Sequence, residues 1–197
     1  NVALLQNRCI EALNYLEQAL RIYQDAEDQP RSASMLAHLG AVHAELGDLG
    51  RSLGYYRTCY EQREIVQDQR HIAATAEGLS KMLARLGDFP AALACVEEAL
   101  AMQQTLGSTL GVIDSLCTRG YVQLQTQHLS DGLDTYREAL ALMDIFGLNM
   151  RRAEALLGYS RALAGLGFMH EAEDSARQAL EQRLREVFGL GDGAAGK

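Results

Sequence analysis

Leu86-Gly87-Asp88-Phe89-Pro90, followed by Ala92, Val96, Ala99 and Leu100, decides the fold of this chain. Leu46-Gly47-Asp48-Leu49 opens the same pattern 40 residues earlier and runs on through Ser52, Tyr56, Cys59 and Tyr60. The pattern returns as Leu129, Gly132, Tyr136, Ala139 and Leu140, and again as Leu166, Gly167, Met169, Ala172, Ala176, Ala179 and Leu180. Ala12, Leu16, Ala19 and Leu20 fall in the same register upstream. A fixed period of this length marks a protein built from repeated supersecondary units.

Each unit reads as two helices. Gly47 and Gly87 can take the left-handed conformation that ends a helix. Asp48 and Asp88 can accept from the free N–H groups of the helix that follows, and Pro90 sits in a first turn, where its missing N–H costs nothing. Helical spacing of apolar residues predicts helices over about Cys9–Asp25, Arg31–Leu46, Leu49–Val66, His71–Leu86, Phe89–Leu106, Thr109–Thr126, Leu129–Phe146, Met150–Leu166 and Met169–Val187. Asn1 to Leu5 reads as the tail of an earlier helix, with a turn near Gln6-Asn7-Arg8. Gln127-His128 replaces Gly-Asp at the fourth inner turn, and Arg119 replaces a large apolar residue, so local distortion is expected there. The repeats span about 1–28, 31–68, 71–107, 109–147 and 150–188, forming one repeat domain over 1–188 with a flexible tail or linker at 189–197.

Composition agrees. Nearly half of the 197 residues are apolar, there are two prolines and no tryptophan, and good helix formers dominate. A net charge of −8 without a cluster of Lys and Arg argues against nucleic acid as a partner. No stretch approaches the roughly 20 apolar residues of a membrane span. Cys9, Cys59, Cys95 and Cys117 have neither paired nor zinc-like spacing and read as small packing residues in a reducing cytoplasm. The chain starts at Asn1 without Met, which reads as a fragment or a processed product.

Small residues recur where helices must approach. Gly40, Ser80, Gly120 and Ser160 share one slot of the first helices. Ser52, Ala92, Gly132 and Ala172 share one in the second helices, and Ala19, Cys59, Ala99, Ala139 and Ala179 share another. One pair cannot bury its apolar face alone, so each needs neighbours.

These slots resemble the tetratricopeptide repeat. A large residue precedes a small one in the first helix (Leu39-Gly40, Leu79-Ser80, Tyr159-Ser160), and Ala92-Val96-Ala99, Gly132-Tyr136-Ala139 and Ser52-Tyr56-Cys59 match the second helix. The period of 40 is similar to the Leu-Gly-Asn-repeat adaptors of spindle orientation and to arrays in bacterial signalling and transcription regulators. The resemblance implies an all-α, right-handed superhelical solenoid of antiparallel helix pairs, about four full pairs plus a partial N-terminal one. Its concave groove would be lined by the first helices.

Carried over slot by slot, the resemblance directs inward Ser34, Ala37, Ala41 and Glu45; Ala74, Glu77, Lys81 and Arg85; Asp114, Cys117, Tyr121 and Gln125; and Glu154, Leu157, Arg161 and Ala164. Lys81, Arg85 and Arg161 are candidates to hold acidic groups of a protein or peptide partner, and Tyr121 to supply an aromatic contact. A Glu77–Lys81 pair at i, i+4 can instead form a solvated wall. The Lys and Asn set of chaperone-tail clamps is missing, because Ser34, Ala37, Ala41 and Ala74 occupy several of those slots; the spindle adaptors' run of Asn is missing too.

Catalytic and cofactor readings find little support. Gly191 to Lys197 matches the spacing of a phosphate-binding loop, but a helix precedes it and no Ser or Thr follows the Lys. His38, His43, His71, His128 and His170 are scattered without convergent partners. The expectation is a non-enzymatic, cofactor-free binding scaffold inside a larger cytoplasmic regulator. The alternative is a self-association module, using Val2, Leu4 and Leu5 at one end of the array or Ala176, Leu180 and Leu184 at the other.

Overall fold

A computed structural model describes residues 2–62, 64 and 68–188, with side chains from residue 8 onward. Among the described residues the chain is all-α, with no strand. Helix α1 spans Val2–Asp25, α2 Gln29–Glu45, α3 Leu49–Glu61, α4 Gln69–Arg85 and α5 Phe89–Thr105. Helix α6 spans Thr109–Gln125, α7 Leu129–Phe146, α8 Arg152–Gly165 and α9 Met169–Phe188. The pairs α2/α3, α4/α5, α6/α7 and α8/α9 follow the partial leading element α1.

Helix starts keep a half-period of 20, finer than the 40 of the repeat. Asp28, Asp48, Asp68 and Asp88 stand at that spacing, and each caps the next helix. Their carboxylates accept from the N–H of Arg31 at 3.1 Å, Arg51 at 3.2 Å, Arg70 at 3.0 Å and Ala91 at 3.3 Å. Each such cap contributes about 1 kcal/mol.

The inner turns share one backbone course. The N–H groups of Asp48, Asp88, His128 and Phe168 donate to the carbonyls of His43, Leu83, Gln123 and Leu163 at 2.8–2.9 Å. Gly47, Gly87 and Gly167 supply the required positive φ. Gln127 adopts φ +64 in the same turn, so the pair α6/α7 keeps its geometry rather than distorting, at the conformational cost of a non-glycine residue. Arg119, half-buried, reaches Glu138 on α7 at 3.4 Å.

Two expected boundaries differ. No turn falls at Gln6-Asn7-Arg8, because α1 runs straight through; that stretch carries neither Gly nor Pro nor an Asp cap. Helix α8 starts at Arg152, later than the 20-residue cadence, after Gly147 at φ 64 and Arg151 at φ 61. The C-terminal end expected for the third helix, at Val66, and the tail at 189–197 lie outside the described residues, as do the side chains of Val2, Leu4 and Leu5.

The chain divides into two compact units, residues 1–108 and 109–197. In the first, each helix from α1 to α5 packs on its chain neighbours, and the first helices α2 and α4 also touch. In the second, α6 to α9 repeat this plan, with α6 against α8. Contacts that reach only the next helix and the one beyond are those of a solenoid of helix pairs.

A tyrosine plug holds each unit. The Tyr56 ring of α3 lies between Gly40 of α2 and Gly78 of α4: a Cβ on Gly40 would come within 3.0 Å of it, one on Gly78 within 2.5 Å. Tyr136 of α7 does the same between Gly120 of α6 and Gly158 of α8. Within pairs, serine hydroxyls tie the crossing. Ser52 donates to the Gly40 carbonyl, Ser80 to that of Ala92 and Ser160 to that of Ala172, each at 2.7 Å. The pair α6/α7 has glycine at both slots, Gly120 and Gly132, and Thr135 donates instead to the Gln123 side chain at 2.8 Å.

Gly158→Ala is expected to destabilise the protein by about 3 kcal/mol, because the new methyl overlaps a ring that cannot withdraw. Adding Tyr136→Val should recover part of that loss. Urea unfolding of both single variants and the double checks this: simple additivity would show that the ring and the glycine are not coupled.

Candidate functional site

The candidate residues lie on the first helices, three in the first unit and five in the second, and the two groups are described separately.

In the first unit, Glu77, Lys81 and Arg85 rise along α4. Glu77 is nearly buried, and Lys81 Nζ lies 2.5 Å from its Oε1, so the pair neutralises itself. The Tyr56 plug reaches this face from below. Its phenol is pushed up to about 12 by burial, with the charges of Glu77, Cys59 and Glu45 adding to the effect. Arg85, in the last turn of α4, is exposed and makes no ion pair among the described residues.

In the second unit, an arginine outside the candidate set organises the face. Arg151, on the α7–α8 connection, donates through Nε and Nη2 to both carboxylate oxygens of Glu154 at 2.9 and 2.8 Å. Its Nη1 donates to Asp114 on α6 at 2.9 Å. Burial pulls the guanidinium pKa down, but Glu154 and Asp114 outweigh it and leave the value raised. Asp114 and Glu154 are therefore engaged within the chain, and Arg152 is tied to Asp144 at 2.6 Å. Cys117, expected to face inward, is buried in the core. Tyr121 is half-buried, and Gln125, Leu157 and Arg161 are exposed. Arg161 makes no ion pair among the described residues. Burial raises the Tyr136 phenol, Cys117 and Glu154 add to this, and Arg161 and Arg151 oppose it, which places the plug close beneath these groups.

The sequence carried one signal for Arg151. The 20-residue cadence of Asp28, Asp48, Asp68 and Asp88 puts a capping position at 148, where Leu148 stands, so no aspartate starts a helix there.

A Cys–His contact in the first unit shows no sign of nucleophile chemistry. Cys59 Sγ donates to the Ala33 carbonyl at 3.2 Å and lies 3.4 Å from His71 Nε2 and from Thr75 Oγ1. Burial raises the thiol pKa, which disfavours the thiolate. Among the described residues, no group of three or more His, Cys, Asp or Glu is arranged to hold a metal ion, and no helix is long and apolar enough to cross a membrane.

Stacked helix pairs, tyrosine plugs and polar first-helix faces define a helical repeat scaffold. Sequence profiles of the tetratricopeptide repeat match residues 1–65 and 72–109, together more than half of the chain, and the chain belongs to the tetratricopeptide repeat family. That fold is generally a non-catalytic scaffold for protein interaction. No curated protein matches by sequence. Among solved structures, MamA is similar at 17% identity over 87% of this chain and 91% of its own, with a TM-score of 0.60. The nearly identical TPR-like repeats of a Podosopora anserina protein assigned to the kinesin light chains are similar at 14% identity, covering 93% of this chain and 91% of that one, with a TM-score of 0.71. A Rap protein complexed with Competence and Sporulation Factor is similar at 13% identity over 90% of this chain, with a TM-score of 0.61; the match covers 59% of the Rap protein. At these identities the likeness is one of fold.

Arg151→Ala is expected to cost about 1–2 kcal/mol, from lost ion pairs and a left-handed backbone left without its anchor. Arg151→Gly should cost about 1 kcal/mol less, since glycine tolerates that backbone. Equal losses in chemical denaturation would show that the backbone holds no strain.

His71 gives a pH signature. Burial lowers its pKa below the ordinary 6.5, opposed by the Ala33 carbonyl and Asp68 and helped by His38. The unfolded chain therefore binds the proton first. The stability His71 contributes is complete above 6.5 and is lost as pH falls toward the folded-state value. Thermal melts between about pH 7 and pH 5 should show this decline, and His71→Gln should flatten it.

Proposed function

We propose that this chain is a protein- or peptide-binding scaffold, a module of a larger cytoplasmic signalling or regulatory protein, and not an enzyme. The two units belong to one repeat array over 1–188, and 189–197 is a tail or linker. The first-helix faces are the contact surface.

The observation that carries this reading is the division among the candidates. Glu77 with Lys81, and Asp114 and Glu154 with Arg151, satisfy one another. Arg85 and Arg161 stay exposed and unpaired among the described residues, in a chain of net charge −8. An exposed guanidinium left without a carboxylate in such an acidic protein suits an acidic side chain or a terminal carboxylate. In the second unit, Tyr121 and Gln125 on α6 and Leu157 on α8 add aromatic, hydrogen-bonding and apolar contact to what Arg161 offers. The Rap protein, similar in fold, is seen in complex with a factor, which supports a binding role without naming the partner here.

A peptide-array screen, followed by affinity measurement on the segments retained, tests the reading. Arg161→Glu and Arg85→Glu should each weaken binding by about tenfold or more. Arg57→Glu, exposed on the second helix α3, should leave it unchanged. Equal affinity for all three variants would remove the first-helix faces from consideration.

A second reading, self-association, has its own observation: the outer face of α9 exposes Leu180, Leu184, Val187 and Phe188.

A further inference from the structure

We infer that Arg151 sets the charge preference of the α6/α8 face: by bridging Asp114 and Glu154 it lets Arg161 hold an acidic segment on a surface that would otherwise favour a basic one. This rests on the reading of the first-helix faces as a contact surface, and it names the residue that decides which charge the second unit accepts.

The acidic pair belongs to the second unit. Asp114 and Glu154 stand 40 residues apart, in the same slot of consecutive first helices, where the first unit has Ser34 and Ala74. Both meet one guanidinium: Nη1 of Arg151 reaches Asp114 at 2.9 Å, and Nε and Nη2 reach Glu154 at 2.9 and 2.8 Å. The two side chains are still 39 and 58% exposed, so neither is hidden from a partner; what Arg151 meets is their charge. The α7–α8 connection has a second tie, Arg152 to Asp144 at 2.6 Å. The charge at position 151 can therefore be changed while the fold stands.

Arg161 lies within electrostatic reach of the bridge. Glu154, Leu157 and Arg161 follow at i, i+3 and i+7 on α8, and Asp114 and Tyr121 at i and i+7 on α6, so each set shares one side of its helix. Seven residues of helix rise roughly 10 Å. That is about the screening length at physiological salt and about three residues of an extended segment. Glu154, Arg161 and Arg151 also act together on the one Tyr136 phenol, which places them around a common point. The charges of Asp114, Glu154, Arg151 and Arg161 cancel; without Arg151 the face is net negative. An acidic group on Arg161 would then have two bare carboxylates beside it, and a lysine in its place would find two partners.

Two peptide probes test this on the whole chain: an acidic segment retained by a peptide array, and the same segment with every Asp and Glu replaced by Lys. Affinities are measured at an ionic strength of about 10 mM, where screening reaches about 30 Å. The unaltered chain should prefer the acidic probe. Arg151→Gly should lower that preference at least about tenfold, and Arg151→Lys should keep most of it. Asp114→Asn with Glu154→Gln leaves the backbone of the connection alone and should tighten the acidic probe by about threefold to tenfold. Adding the same two changes to Arg151→Gly should restore the preference. These differences should shrink at about 1 M salt, where the screening length is about 3 Å. If no acidic segment is retained, or if Arg161→Glu does not weaken the one that is, the contact surface of the second unit is itself overturned. If binding depends on Arg161 but the preference is unchanged in Arg151→Gly or in the amide pair, only the role of Arg151 is overturned. A preference lost in Arg151→Gly and not regained with the two amides, or lost equally in Arg151→Lys, would assign Arg151 to the fold alone and overturn its electrostatic role.

Discussion

The close passage of first helices around a tyrosine ring is the contact on which each unit depends. Tyr56 and Tyr136 project from second helices into gaps between consecutive first helices, and the gap exists only because Gly40, Gly78, Gly120 and Gly158 present no side chain. One ring therefore touches three helices and sets the distance between two pairs. An aromatic side chain buries a large area, so each plug concentrates much of the inter-pair energy at one point. Where the ring is absent, so is the glycine: Val96 accompanies Ser80, and Ala176 accompanies Ser160.

The serine crossings fix the distance within a pair rather than between pairs. Small residues on both sides of the crossing let a hydroxyl reach a carbonyl of the other helix. Ser52 sits on a second helix, while Ser80 and Ser160 sit on first helices, yet each spans the same gap at 2.7 Å. The chain needs a donor at the crossing and is indifferent to which helix supplies it. The plugs also link core to surface, since both phenols end beneath charged first-helix residues, Glu77 in one unit and Glu154 and Arg161 in the other.

Arg151 shows how a break in the cadence becomes a feature of the surface. Its left-handed backbone delays α8, and its side chain spans Asp114 and Glu154, two acidic residues of the first helices. The backbone cost of about 1 kcal/mol is offset by a forked guanidinium–carboxylate contact in a half-buried setting. The acidic residues on this face are thus consumed internally, which leaves Arg161 as its exposed cation.

Local chemistry was enough to read the helix pairs from the chain alone. Gly-Asp turns, capping carboxylates and small residues at fixed spacing act over a few residues, so Leu86-Gly87-Asp88 announces its helix end wherever it stands. The sequence also indicated which positions share a first-helix face. It could not show that Glu77 is spent on Lys81, that Asp114 and Glu154 are spent on Arg151, or that Cys117 is core. Those outcomes depend on distances of a few ångströms between side chains on different helices, and on a connection whose backbone no spacing rule describes. The turn expected at Gln6-Asn7-Arg8 failed for the complementary reason: repeat register pointed to it, but the residues there lack anything that stops a helix. Periodicity in the chain thus determined the repeat and its register, while tertiary packing decided which charges remain exposed, because pairing is settled by proximity across helices and not by order along the chain.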